Sequence, residues 1–413
     1  MALTQEYRAH WSQLTKWVFR FICLYFSFYI LSAFFGGFLT PLIKWIGNLL
    51  ELDATLDTFP TGSGDTTRAY VAVFINFLFA IAGTLLWSIL DRRRKSYNDL
   101  FYWFLVVLRI YLIYFMCVYG FVKIFKTQFA GPSLWRLMQP IGDMSPMGLA
   151  WTYMAHSEEF NVFAGIMEAL GGLLLIPRRT QTLGAMFIIA VMTQVAMINF
   201  FYDVPVKLFS LHLLAMGLLI FLTDIRRFVN VFIVNQKVQR YQYHYPITDK
   251  TYKTIINWTK LVFTILLISF FAVQGYTNER KWGDKREKPA LYGIWEVQHF
   301  IKNRDTIPPL ITDNNRWRYV IIDRPERASI KTMTDSTLRK SFLVDTTNAK
   351  IFIEAKEGVD DEFQYHQPTQ DELQLIGVAN GDSLHIHLKA KDLSKIRLTN
   401  RGFHWINEYP YNR

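Results

Sequence analysis

Long unbroken apolar stretches fill the first two-thirds of the chain, and short alternating ones fill the last third. The apolar runs lie near 17–39, 70–90, 100–122, 160–176, 183–202, 208–223 and 258–276. A transmembrane helix needs about 20 mostly apolar residues at ~1.5 Å rise each. The pattern therefore predicts seven membrane-spanning helices, the fourth and sixth short enough to borrow residues from their flanks. The first run is too long for the h-region of a secretory signal, and no small-residue cleavage site follows it. It reads as a retained signal anchor. After Tyr276 a charged linker, Thr277 to Pro289, leads into the runs Tyr292–Phe300, Trp317–Ile322, Ser341–Val344, Lys350–Ala355, Leu373–Val378 and Ser383–Leu388. Asp, Asn, Gly and Pro clusters separate these at roughly 8–12 residues, the spacing of an antiparallel sandwich or barrel. The expected architecture is an α-helical polytopic membrane bundle of about seven helices followed by a C-terminal antiparallel β-barrel or sandwich. Its expected divisions are 1–99, an N-terminal pair of spans; 100–228, a four-helix membrane core; 229–276, a cytoplasmic linker and seventh span; and 277–413, the β domain.

Charge changes this picture by giving it a direction. A formal net charge of +11 over 413 residues invites a nucleic-acid reading, whose worth depends on where the charges lie. One set of loops holds fifteen basic residues, among them Arg92, Arg93, Arg94, Lys95, Arg178, Arg179, Arg226 and Arg227, against five acidic ones. The alternate loops hold six basic and eight acidic residues. The positive-inside rule then puts the N-terminus in the cytoplasm and, with seven spans, the β domain outside it. The expected location is a bacterial inner membrane with a periplasmic C-terminal domain. The implied partners are the bilayer and other membrane or periplasmic proteins, with no nucleic acid.

Two cysteines, Cys23 and Cys117, both inside apolar runs, exclude a disulfide framework, an iron–sulfur site and a Cys₄ zinc site. Candidate chemistry must come from polar residues inside the spans, where ionisable groups are costly. Arg109 and Glu168 fall near the middles of the third and fourth runs, and an ion pair between them is expected. Glu168 shares a helical face with Asn161, Ala164, Gly165, Gly171 and Gly172, a small-residue stripe that admits a close neighbour. A second set, Tyr119, Lys123, Asn199, Asp203, Lys207 and His212, gathers toward the outer ends of the spans as a candidate outer pocket. Gln194 lies beside it. Residues 128–159, broken by Pro132, Pro140 and Pro146, predict a short interfacial or re-entrant helix over Met147–His156, either lidding that pocket or resting at the bilayer surface. Thr61-Gly62-Ser63-Gly64-Asp65 lacks the Lys-Ser/Thr of a phosphate loop. His385 and His387 share a strand face opposite Leu384, Ile386 and Leu388, with no third metal ligand evident, so no metal is expected.

Two resemblances follow from motifs. Leu108-Arg109-Ile110, Tyr119-Gly120-Phe121-Val122-Lys123-Ile124-Phe125 and Gly165-Ile166-Met167-Glu168-Ala169-Leu170-Gly171-Gly172 resemble the DoxX family of small membrane proteins. In that family an Arg-bearing helix ends in a Gly-x-x-Lys-like turn and the next carries Gly-x-x-Glu-x-x-Gly-Gly. The resemblance covers about Leu100 to Phe228 and implies a four-span core in redox or envelope complexes. Leu291-Tyr292-Gly293-Ile294-Trp295 and Arg401-Gly402-Phe403-His404-Trp405 resemble the lipocalin-like (calycin) pattern. There Gly-x-Trp, here Gly293 and Trp295, plugs one barrel end and a late Arg, here Arg401, stacks on the Trp. The expected function is a membrane anchor for the β domain within a larger envelope complex. The alternative is a quinone-linked redox subunit. No cofactor is evident, and a quinone or lipid would fit that alternative.

Overall fold

Each apolar run folds as a helix, the conformation that satisfies its own backbone hydrogen bonds where water is absent. The computed structural model describes residues 10–52, 62–238, 249–355 and 360–412. The helices are α1 (Gln13–Phe35), α2 (Thr40–Leu49), α3 (Thr67–Leu90), α4 (Asn98–Ile124), α5 (Leu134–Leu137), α6 (Pro146–His156), α7 (Glu158–Leu174), α8 (Gln181–Phe201), α9 (Lys207–Leu222), α10 (Ile225–Phe232), α11 (Lys250–Lys281) and α12 (Arg397–Asn400). Their starts follow capping chemistry. The hydroxyls of Ser12, Thr66 and Ser145 accept from the backbone N–H groups of Thr15, Ala69 and Gly148.

Among the described residues, five stretches are long and apolar enough to cross a membrane: Gln13–Leu49, Thr67–Leu90, Asn98–Ile124, Arg178–Phe201 and Lys250–Lys281. A sixth results if α9 and α10, bent by 70°, count as one span. α7 occupies the fourth predicted run but has only 17 residues. The molecule is thus a membrane protein with five or six candidate spans.

The chain divides into two units. The first holds Met1–Phe125 and Glu159–Tyr276, and the second holds Lys126–Glu158 and Thr277–Arg413. In the first, α1 packs on α3 and α8 on α9. Its core runs through Leu108, Leu112, Met116 and Cys117 of α4, Ile188 of α8, and Leu213, Met216 and Ile220 of α9. Cys23 and Cys117 are both free and buried.

The second unit is built on β1 (Gly293–Lys302), β2 (Asp305–Thr306), β3 (Trp317–Arg324), β4 (Arg327–Thr332), β5 (Thr337–Asp345), β6 (Lys350–Ile353), β7 (Asp361–Thr369), β8 (Glu372–Ala379) and β9 (Asp382–Ala390). Every neighbouring pair is antiparallel, and β1 pairs with both β3 and β9. Eight strands therefore close into a barrel, with β2 as a short hairpin arm on β1, and the sandwich alternative falls away. β4 and β7 escape the pattern reading because each offers few apolar residues: Ala328 and Ile330 in one, Phe363 in the polar run of the other. The interior is apolar and filled: Trp295, Phe300, Val320, Phe342, Ile351, Phe363, Leu375 and Ile386 pack with their neighbours in one cluster. An eight-stranded barrel is just wide enough for side chains to fill.

Residues 126–158, which hold nearly all of the proline-broken 128–159 segment, pack on the barrel. Leu134 joins Ile294, Tyr319 and Ile321 in a second apolar cluster on the barrel's outer wall. The Leu134 N–H donates to Asp323 at 3.1 Å, and the Lys331 ammonium donates to the Met138 carbonyl at 3.3 Å. Arg136 and Arg339 both lie over the Trp135 ring. The helix expected over Met147–His156 is α6, and it belongs to this same unit.

Trp295 lies in the barrel core, its indole N–H donating to the Leu291 carbonyl at 2.8 Å. The expected Arg401–Trp295 stack does not form. Arg401 lies over Tyr411 at 4.2 Å and donates to Asn407. After β9 the chain turns into α12 and a terminal segment whose rings meet one another, as Phe403 and Trp405 do. Arg401 is therefore carried off with that segment rather than across the barrel end.

Candidate functional site

The buried ionisable centre of the bundle is a pair between Lys123 of α4 and Glu168 of α7, with N···O 2.7 Å. Both residues are buried, at 7% and 3% exposure. Glycines make this seam possible. A Cβ on Gly120 would lie 2.7 Å from the Gly165 carbonyl oxygen, and one on Gly165 would lie 2.5 Å from that of Gly120. A Cβ on Gly172 would meet Met116 at 2.9 Å. Small residues thus let the two backbones touch, as the stripe on α7 foretold. Asn161, Gly165, Glu168, Gly171 and Gly172 are all buried on that helix.

The expected Arg109–Glu168 pair is corrected here. Arg109 donates to the carbonyls of Leu175 and Ile176, the latter at 2.8 Å, and so caps the C-terminal end of α7. Such a cation favours the negative end of a helix dipole. The glycine contacts fix an antiparallel register in which Arg109 lies about eight residues, or ~12 Å, from the level of Glu168. Aligning run centres missed this because α4 has 27 residues and α7 only 17. Side-chain direction completes the explanation. Helical side chains lean toward their own N-terminus, so on antiparallel helices Lys123 and Glu168 lean toward each other while Arg109 leans away.

The other six-residue grouping, the candidate outer pocket, resolves into three sets. Tyr119 belongs with the ion pair, its ring 5.6 Å from the Lys123 ammonium. His212 joins two tyrosines of α1. Its ring stacks on Tyr29 at 3.8 Å and an interplanar angle of 3°. Its Nε2 lies 2.8 Å from the Tyr25 hydroxyl, and its Nδ1 lies 2.6 Å from the Leu208 carbonyl. A carbonyl only accepts, so Nδ1 carries the proton and, in the neutral ring, Nε2 accepts from Tyr25. Asn199, Asp203 and Lys207 make the third set, at the α8–α9 turn. Asn199 donates to Ser210 at 3.0 Å, and Lys207 pairs with Asp203 at 2.9 Å.

That turn also absorbs the glycine-rich segment. Asp65 accepts from the N–H groups of Lys207 and Leu208 at 2.7 and 3.0 Å, capping α9. Gly64 donates to the Pro205 carbonyl. The segment is a helix cap, and Thr61 lies outside the described residues.

Three features escaped the sequence reading. Tyr25 and Tyr29 sit one turn apart on α1, and Tyr111 sits two turns before the already named Tyr119 on α4. His212 is thus tied to α1 through Tyr25 and Tyr29, and Tyr119 to the ion pair through Lys123. The repeat spacing of those tyrosines was the available signal. Arg20, counted with the loop charges, is buried instead and donates to Tyr97, Ser88 and the Asp91 carbonyl. Finally, an open apolar groove of about 450 Å³ runs along Trp11, Val18, Phe19, Phe104 and Leu219.

No protein-family model matches the chain, so the DoxX resemblance rests on its motifs alone. No solved structure matches it either. The chain is similar to an uncharacterized protein, YwoB, of Bacillus subtilis (strain 168), at 29% identity over 126 residues. That match covers 30% of this chain and 79% of the relative.

Proposed function

We propose that this is an envelope protein whose DoxX-like bundle anchors the barrel domain in a bacterial inner membrane and couples it to a larger membrane or periplasmic complex. One observation carries the reading: the barrel unit is built from two separate chain segments, so the chain passes between the units three times. A tethered accessory would need one passage. The packed barrel interior supports a role for its outer surface rather than for an enclosed ligand. The charge distribution supports a cytoplasmic N-terminus and a periplasmic barrel, with α7 and the α9–α10 pair completing seven crossings. Affinity capture of the intact protein from native membranes should return stoichiometric partners that are lost when residues 126–158 are replaced by a flexible linker. A protein that comes out alone overturns the reading. Accessibility labelling of single cysteines in the α3–α4 and α8–α9 turns tests the orientation, which requires the second to be reachable from outside.

The Tyr25–His212 hydrogen bond and the buried Lys123–Glu168 pair favour a second reading, a quinone-linked redox subunit, with the apolar groove suited to an isoprenoid or lipid tail. Glu168→Gln and His212→Ala would then lower quinone reduction in membranes. Unchanged rates would dismiss it.

A further inference from the structure

Three histidines meet on the outer wall of the barrel. His385 and His387 stand two residues apart on one face of β9, and β1 brings His299 opposite His387 in antiparallel register. The β-bulge between Val297 and His299 shifts that register and turns His299 to the same side. The ring centres of His385 and His387 are 4.4 Å apart, and those of His387 and His299 are 6.0 Å apart. Two imidazoles bound to one tetrahedral ion by metal–nitrogen bonds of about 2.0–2.1 Å have centres about 5 Å apart. The observed spacings bracket that value.

Two more observations distinguish the cluster from ordinary surface histidines. The His385 Nε2 is buried and makes no hydrogen bond among the described residues, an arrangement that costs free energy unless something engages the nitrogen. Burial and the neighbouring His385 and His299 hold the His387 imidazole below its usual range, with Glu372 opposing them. Gln374 lies opposite His387 on β8, and His366 lies one strand further on β7. Among the described residues no three metal-ligating side chains already converge on a point. A three-histidine site therefore requires the exposed His299 to rotate about its side-chain torsions toward the other two rings.

We propose that His299, His385 and His387 form a surface site for an imidazole-seeking divalent transition metal, Zn²⁺, Ni²⁺ or Cu²⁺, on the barrel wall. Mixed nitrogen and solvent ligation fits these ions and excludes Mg²⁺ and Ca²⁺, which require oxygen donors. The site is independent of the bundle and of the coupling role proposed above.

Calorimetric titration of the metal-free, tag-free full chain in detergent with zinc chloride tests it. One ion should bind per chain, and magnesium chloride should give no heat. His385→Ala or His387→Ala should weaken binding by about tenfold or more, His299→Ala likewise, while His366→Ala should leave it unchanged. Copper-loaded protein should show nitrogen hyperfine coupling in its electron paramagnetic resonance spectrum, and His385→Ala should reduce it. Absence of stoichiometric binding, or binding indifferent to all three substitutions, overturns the proposal. Because all three residues lie on the barrel surface, circular dichroism of each variant should match the parent, so lost binding reads on the site.

Discussion

The two units bury their interiors differently. The described core of the barrel is one cluster of apolar side chains, Trp295, Phe300 and Phe363 among them, and the buried Arg316, Asp323, Lys331 and Thr332 are not part of it. The bundle encloses Lys123, Glu168, Asn161, Arg20, Arg109 and His212. A filled apolar barrel needs no ligand to be stable. A bundle that keeps an ion pair out of water accepts a desolvation cost that well-packed apolar residues would avoid. That contrast makes the bundle seam the place to look for chemistry, and the barrel's outer wall the place to look for contacts.

Removing one member of the ion pair should have the largest effect. Lys123→Met or Glu168→Leu alone leaves a buried charge without its partner, at about 3–5 kcal/mol, read as a fall in thermal midpoint of the detergent-solubilised protein. The double variant should regain most of that loss. A double variant as unstable as either single one would mean that the seam, not the charge, sets the cost. In the barrel, Phe363→Ala opens a cavity in the filled core and should cost about 3–5 kcal/mol. The loss should appear in barrel signals, strand circular dichroism and proteolysis after Tyr276, ahead of the helical signal. Joint melting of both units would erase the contrast. A smaller effect is expected at His212→Phe, which leaves the Tyr25 hydroxyl without its acceptor, at about 1–3 kcal/mol. Pairing it with Tyr25→Phe should recover stability if the hydrogen bond alone matters. Smallest is Asp65→Ala, which removes the cap of α9 at about 0.5–2 kcal/mol, read by hydrogen exchange at the start of that helix.

Much of this contrast was legible beforehand. The small stripe beside Glu168 announced a close helix partner, and Gly120 and Gly165 supply that contact. Alternation in Ser383–Leu388 located β9 and set the inward Leu384, Ile386 and Leu388 against the outward histidines. Other signals were present but ambiguous. Tyr319-Val320-Ile321-Ile322 is apolar without alternation, the mark of a strand buried on both faces. Its outer face is covered by Leu134 and by Leu393 and Ile396, a covering that no local pattern specifies. Lys123 is conspicuous in the sequence as a polar residue near a span end, but its depth carries no information about which way its side chain leans, and that lean is what joins it to Glu168.

The division between the two kinds of knowledge has a physical basis. Helix and strand follow from the length and period of apolar runs, which are local properties, so the sequence alone determined the helical bundle, the β domain and the change of character after Tyr276. Partnership depends on register, closure and side-chain direction, which join residues far apart in the chain. Only the tertiary structure decided that Glu168 meets Lys123 rather than Arg109, that β1 closes on β9, that residues 126–158 pack with the barrel, and that His299 stands beside His385 and His387.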